Sequence, residues 1–333
     1  MKTIKTLNKD ILKIDDVGEY VDKLTHNIKK DVADKFRRRG AVLGVSGGID
    51  SSVTLALVVR ALGSENVIAV MLPEKDSSPE SLRLGKQLAE KFNVKYEIEN
   101  ISEALDGFKC YARRDEAVKR VFPDYDSARH TFKIGLNEPS IATNMPSVFF
   151  ITVIDEEGNE RKKKLPAPEL LQIVAASNFK QRTRMSMLYY YAEKHHYAVI
   201  GTSNKQEINQ GFFVKHGDGG VDLMAIGNLY KTQVYQLAHY LDIPEEIVNR
   251  TPTSDTYSAE QTQEEFFFQL PFNEMDLLWY AYENGYDSNE AAQVVEKSPE
   301  AIANIFKSFK RKQKTTDYLR LEPIKYNGIQ SGI

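Results

Sequence analysis

The chain has 333 residues, 41% hydrophobic and 27% charged, an ordinary composition for a folded protein with a substantial core. A formal net charge of −3 gives no electrostatic footprint for nucleic acid, and no apolar run is long enough to span a membrane. A single cysteine, Cys110, excludes an internal disulfide framework, and the N-terminal MKTIKTLNKDILKI has no apolar signal core, so the expected location is a reducing cytoplasm.

Residues 17–38 read as an amphipathic helix, with Val17, Val21, Leu24, Ile28 and Val32 at helical spacing, closed by Arg37-Arg38-Arg39 and Gly40. The small apolar run Ala41 to Val45 reads as a buried strand. It breaks at Ser46-Gly47-Gly48 and resumes at Asp50 as a helix carrying Leu55, Leu57, Val58 and Leu62. A strand, a glycine turn and a helix N-terminus together present free N–H groups and the positive end of the helix dipole, which suits an anion. No Gly-Lys-Ser/Thr follows, so this is not a Walker A loop, and it is not a dinucleotide GxGxxG. Val67 to Leu72 is a second strand. Ser77-Ser78-Pro79-Glu80 starts a helix that runs to about Phe92, and Val94 to Ile98 is a third strand. This alternation predicts parallel βαβ units, whose ligands sit beyond the carboxyl ends of the strands, where Ser46 lies.

From about Leu105 to Pro168 the pattern is interrupted by an irregular, aromatic and charged stretch. Within it Val148 to Ile154 and Glu160 to Leu165, joined by Asp155-Glu156-Glu157-Gly158-Asn159, predict a β-hairpin. Its apolar content makes it an ordered insertion, read as a lid or a partner surface within a single domain spanning 1–333. A helix follows from about Pro168 to Tyr191, with a candidate break near Asn178, and then a fourth strand, Tyr197 to Ile200. The glycine-rich Gly211 to Gly220 and a helix from Lys231 to Tyr240 come next. Residues 251–273 read as polar and irregular, Met275 to about Lys312 as several helices, and 328–333 as a loose tail.

Four segments together resemble the NAD synthetases of the PP-loop superfamily, in particular the ammonia-dependent type. They are GVSGGIDSS at Gly44 to Ser52, NFKQRTRM at Asn178 to Met185, the long GTSNKQEINQGFFVKHGDGGVDLMAIGNLYKTQVYQLAHYLDIP at Gly201 to Pro244, and TPTSDTYSAEQTQEE at Thr251 to Glu265. The resemblance implies an adenine nucleotide alpha hydrolase-like, doubly wound parallel sheet of about five strands with helices on both faces, and a homodimer. It also implies an ATP- and Mg²⁺-dependent ligase that adenylates the carboxylate of deamido-NAD, releases pyrophosphate and lets ammonia form the amide.

By the same resemblance, Ser46, Gly47, Gly48, Asp50, Ser51, Ser52, Thr202, Lys231 and Thr253 contact ATP. Asp50 and Glu207 hold the metal, and Asp50 and Lys231 are catalytic. Arg182, Lys215, Asp218, Asp222 and Lys310 hold the acyl substrate. Asp50 is also a first-turn helix acid, Lys231 alone is an ordinary helix lysine, and Asp218-Gly219 is a plain turn signal. His195-His196 is not a metal pair, because adjacent helix positions diverge. Tyr189-Tyr190-Tyr191 suits core and dimer packing.

The chain departs from the family pattern in places. The usual His-Lys-Arg near the C-terminus is Phe309-Lys310-Arg311, the usual PTADLW-type loop is Pro252-Thr253-Ser254-Asp255-Thr256-Tyr257, and Ala225 stands where Pro is common. These changes touch the acyl side, so a ligase amidating a different carboxylate is the alternative. A non-catalytic nucleotide-binding scaffold is a second alternative. Cys110 has no glutaminase domain around it and reads as a small buried residue, so nitrogen would come as free ammonia or from a separate glutaminase.

Overall fold

The computed structural model describes residues 6–136, 148–253 and 256–326. The 328–333 tail reading, and Ser254 and Asp255 of the 252–257 loop, lie outside them. Twelve helices and eight strands are named among these residues, in the order α1 (Val17–Lys30), β1 (Ala41–Gly44), α2 (Ile49–Leu62), β2 (Val67–Met71), α3 (Pro79–Lys91), β3 (Lys95–Ile98), α4 (Ser102–Gly107), α5 (Cys110–Val121), β4 (Thr131–Leu136), β5 (Phe149–Ile154), β6 (Glu160–Lys164), α6 (Ala167–His195), β7 (Ala198–Gly201), α7 (Lys205–Gln210), β8 (Leu223–Met224), α8 (Lys231–Tyr240), α9 (Glu245–Val248), α10 (Phe272–Glu283), α11 (Ser288–Ala292) and α12 (Pro299–Arg320).

The main sheet is parallel and five-stranded, in the order β3-β2-β1-β7-β8. Its alternating side chains feed two cores. Ala41 and Leu43 of β1 pack with Leu55, Leu57 and Val58 of α2 and with Val21 and Ile28 of α1. Val42 of β1 faces the other way, with Ile68 and Val70 of β2, and meets Met185 and Leu188 of α6. Helices therefore cover both faces, as a doubly wound sheet requires. Strand order changes direction at β1, between β2 and β7, so the crevice opens beyond the end of β1, directly at Ser46.

The interruption in the sequence pattern is more regular than expected. Besides the hairpin of β5 and β6, the antiparallel sheet gains a third strand, β4, in the order β4-β5-β6. Gly158 turns the hairpin with φ +83°. Phe132, Ile134, Ile151 and Val153 from this sheet share a core with Ala117 and Val118 of α5, with Phe122 just after it and with Ile173 of α6. The sheet is thus buried on one face, while β6, with its run of cations, is exposed at the edge.

Helix α6 runs unbroken through Asn178, because its buried residues on either side of that point, Ile173, Ala176, Ser177 and Lys180, hold it against both cores. Cys110 is fully buried and donates from Sγ to the Ala176 carbonyl at 3.2 Å. Helices α10 to α12 form a further core around Trp279, in which Phe309 is fully buried against the indole.

Candidate active site

The turn after β1 is held by its own hydroxyls. Ser51 Oγ and Ser52 Oγ both donate to the Gly48 carbonyl at 2.9 Å, and Ser46 Oγ lies 3.3 Å from Ser51 Oγ. Gly47 has φ +70°, and a Cβ there would sit 2.7 Å from the Ser81 carbonyl oxygen at the start of α3. Only glycine fits between that helix and a ligand.

Three charged side chains from distant segments meet at the foot of this loop. Lys231, at the first position of α8, gives its Nζ to Asp50 Oδ2 in the first turn of α2. Asn204 Nδ2 donates to Asp50 Oδ1 at 3.3 Å. Asn204 also caps α7, and Glu207 closes the capping box by accepting from the Asn204 N–H at 2.9 Å. Burial, and next the negative charge of Asp50, push the Glu207 carboxyl up to about 8, with Lys231 pulling the other way. Burial alone would lower the pKa of Lys231, but the carboxylates of Asp50 and Glu207 outweigh it and hold the lysine above its usual value. Two acids and one base in a dry recess leave one negative charge to be neutralised when all are ionised.

A cleft of about 920 Å³ opens above this cluster. Of the residues singled out from the sequence, Ser46, Gly48, Asp50, Ser51, Thr202, Glu207, Asp218 and Thr253 line it. Asp218 accepts from the Val214 N–H at 2.8 Å, and burial raises its carboxyl to about 6 against that hydrogen bond. Ser52 is buried beneath the loop, and Lys231 is buried below the floor.

Four expected substrate contacts lie away from the wall. Asp222 accepts from the Val199 N–H at 2.8 Å and the Tyr189 hydroxyl at 3.0 Å, tying β7 to α6. Lys215 Nζ donates to the carbonyls of Tyr318 at 2.9 Å and Leu321 at 2.7 Å, capping the C-terminal end of α12. Arg182 is exposed, with Nε on the Lys215 carbonyl at 3.3 Å, and Lys310 is exposed. In their place the cleft receives Arg184 and Lys312. Both shifts are of two residues along a helix, which turns a side chain by about 200°. Arg184 stands inside the run Asn178 to Met185 singled out from the sequence, and Lys312 stands one residue past Phe309-Lys310-Arg311, so buried-face periodicity could have selected them. Lys180, Arg250 and Gln210 also line the cleft and carried no sequence signal of their own. The inserted sheet contributes Ile134, Leu136 and Phe149 to the wall.

The parallel sheet, the glycine turn at the end of β1 and the cleft above it define the PP-loop class of α/β fold. The NAD synthase family model matches residues 20–130 and 150–316. The unmatched stretch between them, 131–149, contains β4. The chain is 43% identical over 318 residues to an NH₃-dependent NAD⁺ synthetase of Rhizobium rhizogenes, covering 96% of this chain and 95% of that one. Among solved structures, an NMN synthetase from Francisella tularensis superposes with TM-score 0.64 at 22% identity, over 94% of this chain and 99% of the other. An NH₃-dependent NAD synthetase from Campylobacter jejuni gives 0.61 at 23%, over 94% and 100%. The chain belongs to the NAD synthase family.

Proposed function

We propose that the protein is an ammonia-dependent ligase that uses ATP to convert the carboxylate of deamido-NAD into the amide of NAD, releasing AMP and pyrophosphate. The observation that carries this reading is the convergence of Asp50, Glu207 and Lys231 beneath a glycine turn that lines the cleft through Ser46, Gly48 and Ser51. Adenylation joins two anions, so cations and N–H donors must offset their repulsion and the charge that builds on departing pyrophosphate. In this reading Ser46, Gly47, Gly48, Ser51 and Ser52 shape the loop around pyrophosphate, and Thr202 and Thr253 contact the nucleotide. Lys231 holds Asp50 ready and supplies positive charge.

Asp50 and Glu207 fit Mg²⁺. Both are hard oxygen donors, together they carry more negative charge than Lys231 cancels once Glu207 gives up its proton to the ion, and Mg²⁺ is ordinarily held by one or two carboxylates together with substrate phosphates. The ion would offset phosphate charge there.

On the acyl side, Asp218 lines the cleft directly. Arg182, Lys215 and Asp222 act by fastening the Gly211–Gly220 segment and its continuation to α6, α12 and β7. Lys310 is left for a contact from outside the cleft. The exposed Tyr190 of α6, which stands apart from the cleft wall, supports a homodimer packing on that side of the helix. Ammonia arrives free or from a separate glutaminase, since burial raises the Cys110 thiol to about 11 and removes it as a nucleophile. Among the described residues no helix is long and apolar enough to cross a membrane, and we assign the reaction to the cytoplasm.

A second reading, a different carboxylate, is favoured by the apolar wall that Ile134, Leu136 and Phe149 add and by the burial of Phe309 in the core. The experiment is pyrophosphate release by the pure protein with ATP, Mg²⁺ and ammonium, with and without deamido-NAD. Release that depends on deamido-NAD, with NAD formed, is expected. ATP binding without such release points to the other acceptor.

A further inference from the structure

Behind the cleft, a chain of polar side chains runs from α12 to the first turn of α8. Lys312 Nζ donates to Gln210 Oε1 at 3.2 Å. Gln210 Nε2 donates to Gln206 Oε1 at 3.0 Å, and Gln206 Nε2 donates to Asp276 Oδ1 at 3.0 Å. Asp276 Oδ2 accepts from the backbone N–H of Thr232 at 2.8 Å. Gln206, Gln210 and Asp276 are fully buried.

The ends fix the polarity of the whole chain. With Lys312 as an ammonium, which can only donate, and Asp276 as a carboxylate, which can only accept, each glutamine turns its carbonyl toward Lys312 and its amide NH₂ toward Asp276. Flipping either glutamine sets donor against donor. Aligned hydrogen bonds of this kind polarise one another, and a half-satisfied set costs more than none.

Each end also has a functional address. Lys312 lines the cleft near Ser308, Arg311 and Thr316. Its other hydrogen bond is to the Phe267 carbonyl at 2.9 Å, and it has no carboxylate partner among the described residues. Burial, and then the neighbouring Arg311, lower its pKa to about 7. At the other end, Thr232 follows Lys231, whose ammonium holds Asp50. A ligand anion near Lys312 would be that lysine's first counter-charge.

We propose that Lys312 is a positioning residue. Through Gln210, Gln206 and Asp276 it ties an anionic acyl substrate in the far part of the cleft to the seating of the α8 N-terminus that carries Lys231. The identity of that substrate rests on the function proposed above, whereas the relay itself does not.

The test measures binding of α,β-methylene ATP with Mg²⁺ by calorimetry on the full chain. The four proteins are wild type, Lys312→Met, Asp276→Asn and the double variant, each with a thermal melt. If the chain acts as a unit, each single change weakens binding about fivefold and the double no more than the weaker single, because one cut already uncouples the ends. Independent effects would multiply to roughly 25-fold, and that result overturns the relay. So do single variants that bind as wild type while only their melting temperatures fall, since that is a purely structural role. If Asp276→Asn does not fold, Gln210→Met cuts the chain midway and is judged by the same outcomes. Wild-type protein that binds the analogue but makes no amide from deamido-NAD sinks the substrate assignment, and the four affinities still decide the relay.

Discussion

Lys231 and Asp50 form an ion pair across 181 positions of the chain, buried at the lysine end and open to the cleft at the aspartate end. Two helix starts, α2 and α8, are thereby locked together under the phosphate loop. Replacing Asp50 by Asn keeps the shape but removes one of the two acidic charges. Turnover should fall on the order of 100-fold, as for loss of one group that stabilises developing charge, and the melting temperature should fall as well, because the buried Lys231 loses its ion-pair partner. Kinetics close to wild type would show that Asp50 has no part in the chemistry.

Glu207 predicts a pH dependence of stability in the absence of nucleotide and metal. Its carboxyl is raised to about 8 in the fold from an ordinary value near 4.5. Between those values the native state holds a proton that the unfolded chain has lost, so this group's contribution to stability declines as pH rises from about 5 through 8. Glu207→Gln should remove that decline, which is read as the difference between the two proteins in denaturant midpoints across this range. Parallel pH profiles for wild type and variant would mean that Glu207 is not held protonated. Added Mg²⁺ and α,β-methylene ATP should flatten the wild-type curve by favouring the ionised acid.

Gly47 carries a third prediction. Its φ of +70° and the 2.7 Å approach of a Cβ to the Ser81 carbonyl both oppose a side chain. Gly47→Ala should cost about 2 kcal/mol in stability from strain and overpacking, and raise the KM for ATP as α3 is pushed from the loop. A variant with unchanged melting temperature and ATP KM would mean the loop adjusts freely.

The α/β core was legible because a buried parallel strand writes itself as an unbroken apolar run, as at Ala41 to Val45 and Val67 to Leu72. The carboxylates and lysine of the site were legible only by resemblance. Glu207 looks like a surface residue until β7 and α7 carry it under the loop. Strand β4 went unread because Thr131 to Leu136 pairs with β5 through contacts that no local pattern records. Arg184 went unread because the quoted motif names a stretch of helix, while the cleft selects one face of it, and Lys312 went unread because it lies one residue past Phe309-Lys310-Arg311. Phe309, which stands where the family has a histidine, is explained by its neighbours. It fills the core against Trp279, where the ring is fully buried.

The inserted sheet supplies the last prediction. Ile134 and Leu136 of β4 and Phe149 of β5 reach the cleft beside Leu170, Leu171 and Val174 of α6. The opposite wall, with the phosphate loop, Thr202 and Glu207, belongs to the main sheet. An acyl substrate held between them would bury apolar surface on the inserted side, and ATP would not. Removing the hairpin at 148–165 would take Ile151, Val153 and Leu165 from the core shared with Phe122 and Phe132, so a point change is cleaner. Phe149→Ala should raise the KM for deamido-NAD about tenfold, in keeping with 1.5–3 kcal/mol for a buried phenyl ring, and the KM for ATP by less than about twofold. Equal rises in both constants would mean that the sheet only supports the fold. No rise in either, with loss of self-association in sedimentation, would make the sheet an interface between copies of the chain.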